Sequence, residues 1–184
     1  MHQKRHILIC GEVGVGKSTL IHRLLAQNKR PLAGFITKRI PTLGEDGLFP
    51  VYIHPAAQSM LKRSYGPENL IGKCDRIRSF QYPKVFDELG VKLLDATDDN
   101  LILMDELGFM ENEAEKFRFG VLKALDGEIP VLAAVKSRET DFLEKVRNHP
   151  NAEVFRITEQ NRDSLYPLLL SRILEWNRRT GNMG

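Results

Sequence analysis

The 184-residue chain has only two cysteines, Cys10 and Cys74. Two thiols in a chain of this length read as reduced side chains, not as a disulfide framework. No apolar run reaches about 18 residues, so nothing reads as a membrane span. The opening MHQKRHILIC carries basic residues but too short an apolar stretch for a signal peptide, and the expected setting is the cytoplasm. A large excess of charge of one sign is also missing. A net charge of +3, with no basic patch interleaved with aromatics, gives no reason to expect nucleic acid or an anionic membrane as a partner. The histidines, at 2, 6, 22, 54 and 149, are scattered, and no Cys/His cluster has zinc spacing. A G-x-S-x-G nucleophile elbow is missing too. What remains is ordinary globular composition, 42% hydrophobic and 28% charged, which argues against disorder.

Strand-like and helix-like stretches alternate along the chain. Ile7 to Cys10 is a short apolar run that suits a buried parallel strand. From Ser18 the period changes: Leu20, Ile21, Leu24 and Leu25 recur at helical spacing, and Lys29, Arg30 and Pro31 end the helix. GFITKRI (34–40) reads as a strand. Residues 41–79 are rich in Gly and Pro and read as an irregular insertion, a lid or substrate-facing segment, within which FPVYIH suggests a small antiparallel excursion. Pro83 opens a helix whose Phe86, Leu89, Leu93 and Ala96 share a face. A strand at 101–105, a helix at about 113–125, a strand at 131–135, a short helix near 140–147, a strand at 153–157 and a helix at 162–178 complete the chain. This order predicts one α/β domain over 1–184, a mainly parallel sheet between two helical layers. Ligands in such folds bind beyond the carboxyl ends of the strands.

GEVGVGKST (11–19) stands between the first strand and the first helix. It satisfies G-x-x-x-x-G-K-[ST] in full, in the strand–loop–helix setting that the motif requires. A bare glycine-rich helix cap would need neither the lysine nor the hydroxyl. The expected nucleotide-binding residues are Gly11, Glu12, Val13, Gly14, Val15, Gly16, Lys17, Ser18 and Thr19. Their backbone N–H groups and the helix terminus would cradle phosphates, with Lys17 reaching the terminal ones. Ser18 would ligate Mg²⁺, and Thr19 is expected further inside.

LILMDELGFME (101–111) ends an apolar strand on two adjacent carboxylates. A buried strand end is a costly place for negative charge unless a cation compensates it. Nucleotide-bound Mg²⁺ is that cation, with Asp105 on a neighbouring strand as its ligand. Glu106 then serves to orient or deprotonate the water that attacks the γ-phosphate. Positive charge for the transferred phosphoryl group is sought among Lys38, Arg39, Lys73, Arg76 and Arg78, with Lys136 and Arg138 preferred. Glu111, five residues past Glu106, reads either as a second acid brought back by a turn or, preferably, as a helix cap, and Cys10 as a small core residue.

Taken together, GEVGVGKSTL (11–20), AGFITKRI (33–40), LILMDELGFME, IPVLAAV (129–135) and TEQNRDSL (158–165) resemble the cancer-related nucleoside-triphosphatase family of small P-loop proteins. The resemblance implies a three-layer P-loop fold and Mg²⁺-dependent hydrolysis of ATP, GTP and other nucleoside triphosphates. It implies roles for Lys17, Ser18, Asp105 and Glu106, and a place near the base for Asn161 and Arg162. The chain departs from the family pattern between 41 and 79. Two other readings use the same cradle: a kinase passing the γ-phosphate to a small acceptor, and a slow nucleotide-dependent switch.

Overall fold

The alternation of apolar residues along the strands sets the layering. In the computed structural model, which describes residues 4–180, the strands are β1 (His6–Gly11), β2 (Leu32–Arg39), β3 (Phe49–Pro55), β4 (Leu70–Cys74), β5 (Ser79–Gln81), β6 (Leu101–Leu107), β7 (Val131–Lys136) and β8 (Ala152–Arg156). They form one sheet in the order β5-β4-β3-β2-β6-β7-β1-β8. The pairs from β2 through β8 are parallel, and β2–β3, β3–β4 and β4–β5 are antiparallel.

Successive side chains of a strand face opposite sides. Ile7, Ile9, Leu101, Leu103, Leu132 and Ala134 therefore point one way, onto Leu20, Ile21 and Leu24 of α1 (Lys17–Leu25) and Leu169, Ile173 and Trp176 of α6 (Arg162–Thr180). Leu8, Cys10, Ile102, Met104, Val131 and Ala133 point the other way. There they meet Phe86 and the helical segment 83–93, Phe117, Val121 and Leu125 of α4 (Glu115–Asp126), and Phe142, Leu143 and Val146 of α5 (Asp141–Arg147). The result is the expected three-layer α/β architecture with a mainly parallel sheet.

Segment 83–93 is not one regular helix. It runs as α2 (Pro83–Val85), a π-helical turn (Phe86–Gly90) and α3 (Val91–Leu93). The turn puts the Asp87 carboxylate on the Phe117 N–H (2.9 Å), capping a helix whose own N-cap, Ala114, has no side chain able to do so.

The segment 41–79 is more ordered than its Gly/Pro content predicts. Beyond β3 it adds β4 and β5, which continue the sheet past β2. Gly72 allows this, because a Cβ there would lie 2.4 Å from the Phe80 carbonyl oxygen of the neighbouring strand. Among the described residues no helix is long and apolar enough to cross a membrane.

Candidate active site

β1 ends at Gly11, and the chain turns through residues 11–16 into α1 at the carboxyl edge of the sheet. Gly14 and Gly16 adopt φ of +88° and +99°, backbone that L side chains rarely take. A Cβ on Gly11 would come within 2.6 Å of the Ile157 carbonyl oxygen, so the loop and the chain just past β8 can meet only with glycine there. Gly16 is the left-handed N-cap of α1, and no side chain caps the helix. The positive end of the helix and its first N–H groups remain suited to an anion.

Lys17, 6% exposed, folds back over this loop. Its ammonium donates to the carbonyl oxygens of Gly11 (2.8 Å) and Glu12 (2.9 Å) and pairs with Glu106 Oε1 at 3.3 Å. Ser18 Oγ donates to Asp105 Oδ1 at 3.3 Å. Thr19 lies exposed on α1, not further inside as its position after Ser18 suggested.

Asp105 and Glu106 both reach the phosphate loop although they are chain neighbours, and the sheet register explains how. β6 pairs with β7 at Met104–Ala133 and next at Leu107–Val135. Three steps on one strand against two on the other leave one extra residue in β6, a bulge that re-aims its side chains. The Asp105–Glu106 peptide is cis. The Glu106 N–H donates to Thr37 Oγ1 on β2 at 3.4 Å.

Asp105 does not end a strand adjacent to β1, because β7 lies between β1 and β6. The two halves of the site close over that intervening strand. Burial, then the neighbouring Glu106 charge, raises the Asp105 carboxyl above its ordinary range. Glu106 Oε1 is buried and has no directed hydrogen bond, and the Lys17 ammonium at 3.3 Å is its electrostatic partner.

The family model described as NTPase matches residues 6–170. The chain belongs to the NTPase family. A nucleoside-triphosphatase THEP1 of Thermotoga petrophila is 35% identical over 181 residues, covering 96% of each chain. The human cancer-related nucleoside-triphosphatase is 30% identical over 182 residues, covering 89% of this chain and 93% of its own. The crystal structure of THEP1 from Aquifex aeolicus superposes with a TM-score of 0.69 at 24% identity, covering 91% of this chain and 98% of that one. This likeness shows the shared fold.

In this family member the other predicted site residues are spread more widely. Arg162 opens α6 beside the loop, its Nη1 at 3.3 Å from where Gly16 would carry a Cβ. The Asn161 side chain is occupied locally. Its Oδ1 accepts from the Thr158 N–H (2.8 Å) and its Nδ2 donates to the Arg156 carbonyl (2.9 Å), which fixes the β8–α6 turn. Lys73 is paired with Asp46 and Arg78 with Asp75, so neither is a spare cation. Lys136 and Arg138 instead lie over the two-cation ring of Phe109, next to Gly11, Glu12 and Val13.

Glu111 is not the cap of α4. It is 2% exposed, its Oε1 accepts from the Gly108 N–H at 2.5 Å, and burial pushes its carboxyl up to about 7. It closes the loop that follows Glu106. Thr37 was the residue with no role assigned from sequence; the only signal was its place in the GFIT stretch.

A separate cavity of about 740 Å³, lined by Leu94, Ile102 and Phe119, lies between α3 and α4. It opens near the amino end of β6, away from the edge that gathers Lys17, Ser18 and the acids.

Proposed function

We propose that this chain hydrolyses nucleoside triphosphates to diphosphate and phosphate, with a water activated by Glu106. The observation that carries the reading is the Glu106 carboxylate itself: half-buried, with its Oε1 enclosed beside the phosphate-loop lysine and lacking a directed hydrogen bond. The rest of the side chain is partly exposed, so a water can reach the carboxylate while Lys17 holds its inner oxygen.

Backbone N–H groups of residues 11–16 and the start of α1 bind the phosphates. Lys17 then exchanges the Gly11 and Glu12 carbonyls for phosphate oxygens, a trade of neutral acceptors for charged ones that favours the bound state. Ser18 Oγ and Asp105 Oδ1 are hard oxygen donors 3.3 Å apart, and fit Mg²⁺ arriving on the nucleotide. When bound, Mg²⁺ supplies charge neutralisation at the terminal phosphates. Among the described residues no cluster of three His, Cys, Asp or Glu side chains could hold a metal by protein ligands alone, which fits a metal completed by phosphate oxygens. Glu106 takes the proton of the attacking water. Thr37 holds the Glu106 N–H, and Arg162 is proposed to contact the nucleotide from its place over Gly16. Both cysteines are free thiols, which suits a cytoplasmic setting.

Phosphate release from ATP, GTP, CTP and UTP with Mg²⁺, with and without nucleoside and nucleotide acceptors, tests this reading. Release without any acceptor supports it. Release or transfer only when an acceptor is present assigns a kinase, and turnover far below about 1 s⁻¹ that a partner accelerates assigns a switch.

A further inference from the structure

We propose that Lys136 is a second catalytic cation of this site, one that contacts the terminal phosphate. The proposal rests on the hydrolysis reading above and adds a residue to it.

Sheet order gives the first argument. β7 is the strand between the phosphate loop and the acidic strand, and its last residue is Lys136. Lys136 is in register with Gly11 on one side, and Val135 with Leu107 on the other. The Lys136 backbone is thus set between the start of the cradle and the bulge that carries Asp105 and Glu106.

The side chain follows the same line. Its Cδ lies 3.0 Å, and its Nζ 3.5 Å, from where a Cβ on Gly108 would stand. Gly108 is two residues past Glu106, so the lysine stem runs along the loop that leaves the acids. The ammonium is 5.3 Å from the centroid of the Phe109 ring. A ring holds a cation without consuming its N–H donors, whereas a carboxylate would consume at least one. Among the described residues Lys136 makes no ion pair within 4 Å, in contrast to Lys73 and Arg78. It is a positioned cation with donors to spare.

The backbone around it is tethered. Arg147 Nη1 donates to the carbonyl oxygens of both Lys136 and Arg138 at 3.2 Å, tying the strand end to α5. On the opposite side buried Glu111 holds the Gly108 N–H. A cavity of about 330 Å³ is lined by Gly11, Glu12, Val13, Phe109, Lys136 and Arg138. It gives the ammonium a path to a group seated on the loop. Phosphoryl transfer gathers charge on the equatorial oxygens, and a second lysine besides Lys17 would help to meet it.

Three variants test this: Lys136→Met, Lys136→Arg and Arg138→Met, each checked for an unchanged melting temperature. Lys136→Met is expected to lower kcat by about 10²–10³-fold, as loss of one preorganised transition-state donor does. The Kd of a non-hydrolysable ATP analogue should stay within a few-fold. Lys136→Arg should recover part of the rate, and Arg138→Met should lose clearly less than Lys136→Met.

A second readout needs no turnover. ADP with Mg²⁺ and aluminium fluoride mimics the transferred group, and wild type should bind the mixture more tightly than ADP alone. Lys136→Met should lose most of that gain. The proposal is overturned if Lys136→Met hydrolyses within threefold of wild type and keeps the gain, or if Arg138→Met carries both losses instead. Failure of the hydrolysis reading looks different: wild type itself would release no phosphate without an acceptor.

Discussion

Adjacent carboxylates at a buried strand end can share a site only if each has its own partner, and here the partners differ in kind. Asp105 faces a hydroxyl, and Glu106 faces an ammonium. Glu106→Gln keeps the shape but removes the base. Nucleotide affinity should be retained while hydrolysis falls by about 10²–10⁴-fold. A purely structural glutamate would change the rate only a few-fold, so parallel measurement of binding and phosphate release separates the two. Asp105→Asn removes one negative charge from the proposed metal position. The Mg²⁺ concentration for half-maximal activity should rise, and an unchanged titration would take Asp105 out of the metal site. The phosphate loop and the acid pair were legible in the sequence because each is a contiguous string whose chemistry depends on spacing along the chain. Thr37, Phe109 and Glu111 were not, since their roles come from register and burial. Glu111 looked like a cap because it precedes a helix, yet its carboxylate turns back to Gly108.

Elements position these residues through two departures from regularity, the β6 bulge and the close approach of β2 to β6. At the second, Gly34 has φ +92°, and a Cβ there would lie 2.0 Å from the Leu103 carbonyl oxygen. Both the dihedral and the contact involve backbone, so no rotamer change can relieve them. Gly34→Ala should therefore cost at least about 2 kcal/mol, more than a Gly→Ala change at a compatible site could return. In a chain of this size that corresponds to a melting temperature lower by roughly 4–8 °C. An unchanged melting curve would mean that the strands separate here without penalty. Most elements followed from periodicity, with ends shifted by a residue or two. β4, β5 and the π-helical turn did not. β5 has three residues, too few to show alternation, and the glycine at 72 reads as a loop signal when it in fact permits strand contact. The π-turn is set by packing of Phe86 on Phe117, a long-range contact with no local pattern.

At the scale of the whole molecule, the sheet is also joined to a helix at the end opposite the site, through one buried histidine. The His6 ring on β1 donates from Nε2 to the Leu125 carbonyl at the end of α4 (2.9 Å) and accepts at Nδ1 from the Val131 N–H on β7 (3.2 Å). That pair of bonds requires the neutral ring. Burial, reinforced by Arg5, lowers the His6 pKa from 6.5 to about 4. Between these values the unfolded chain binds a proton that the folded chain refuses, so stability falls as pH drops from 6.5 and levels off below about 4. Glu111 acts in the opposite sense. Its carboxyl is raised from 4.5 to about 7, so the folded state holds a proton that the unfolded state releases, and its contribution weakens as pH rises through that window. The wild-type curve is thus a sum of opposed slopes, and its shape alone does not isolate His6. The difference between wild type and His6→Gln does, because Glu111 is common to both. Urea unfolding at pH 7 and pH 5 should show the stability gap move against wild type by about 2 kcal/mol on going to pH 5. A gap that stays constant would mean that His6 accepts its proton in the folded state, and that its ring does not join β1, β7 and α4 as a neutral bridge.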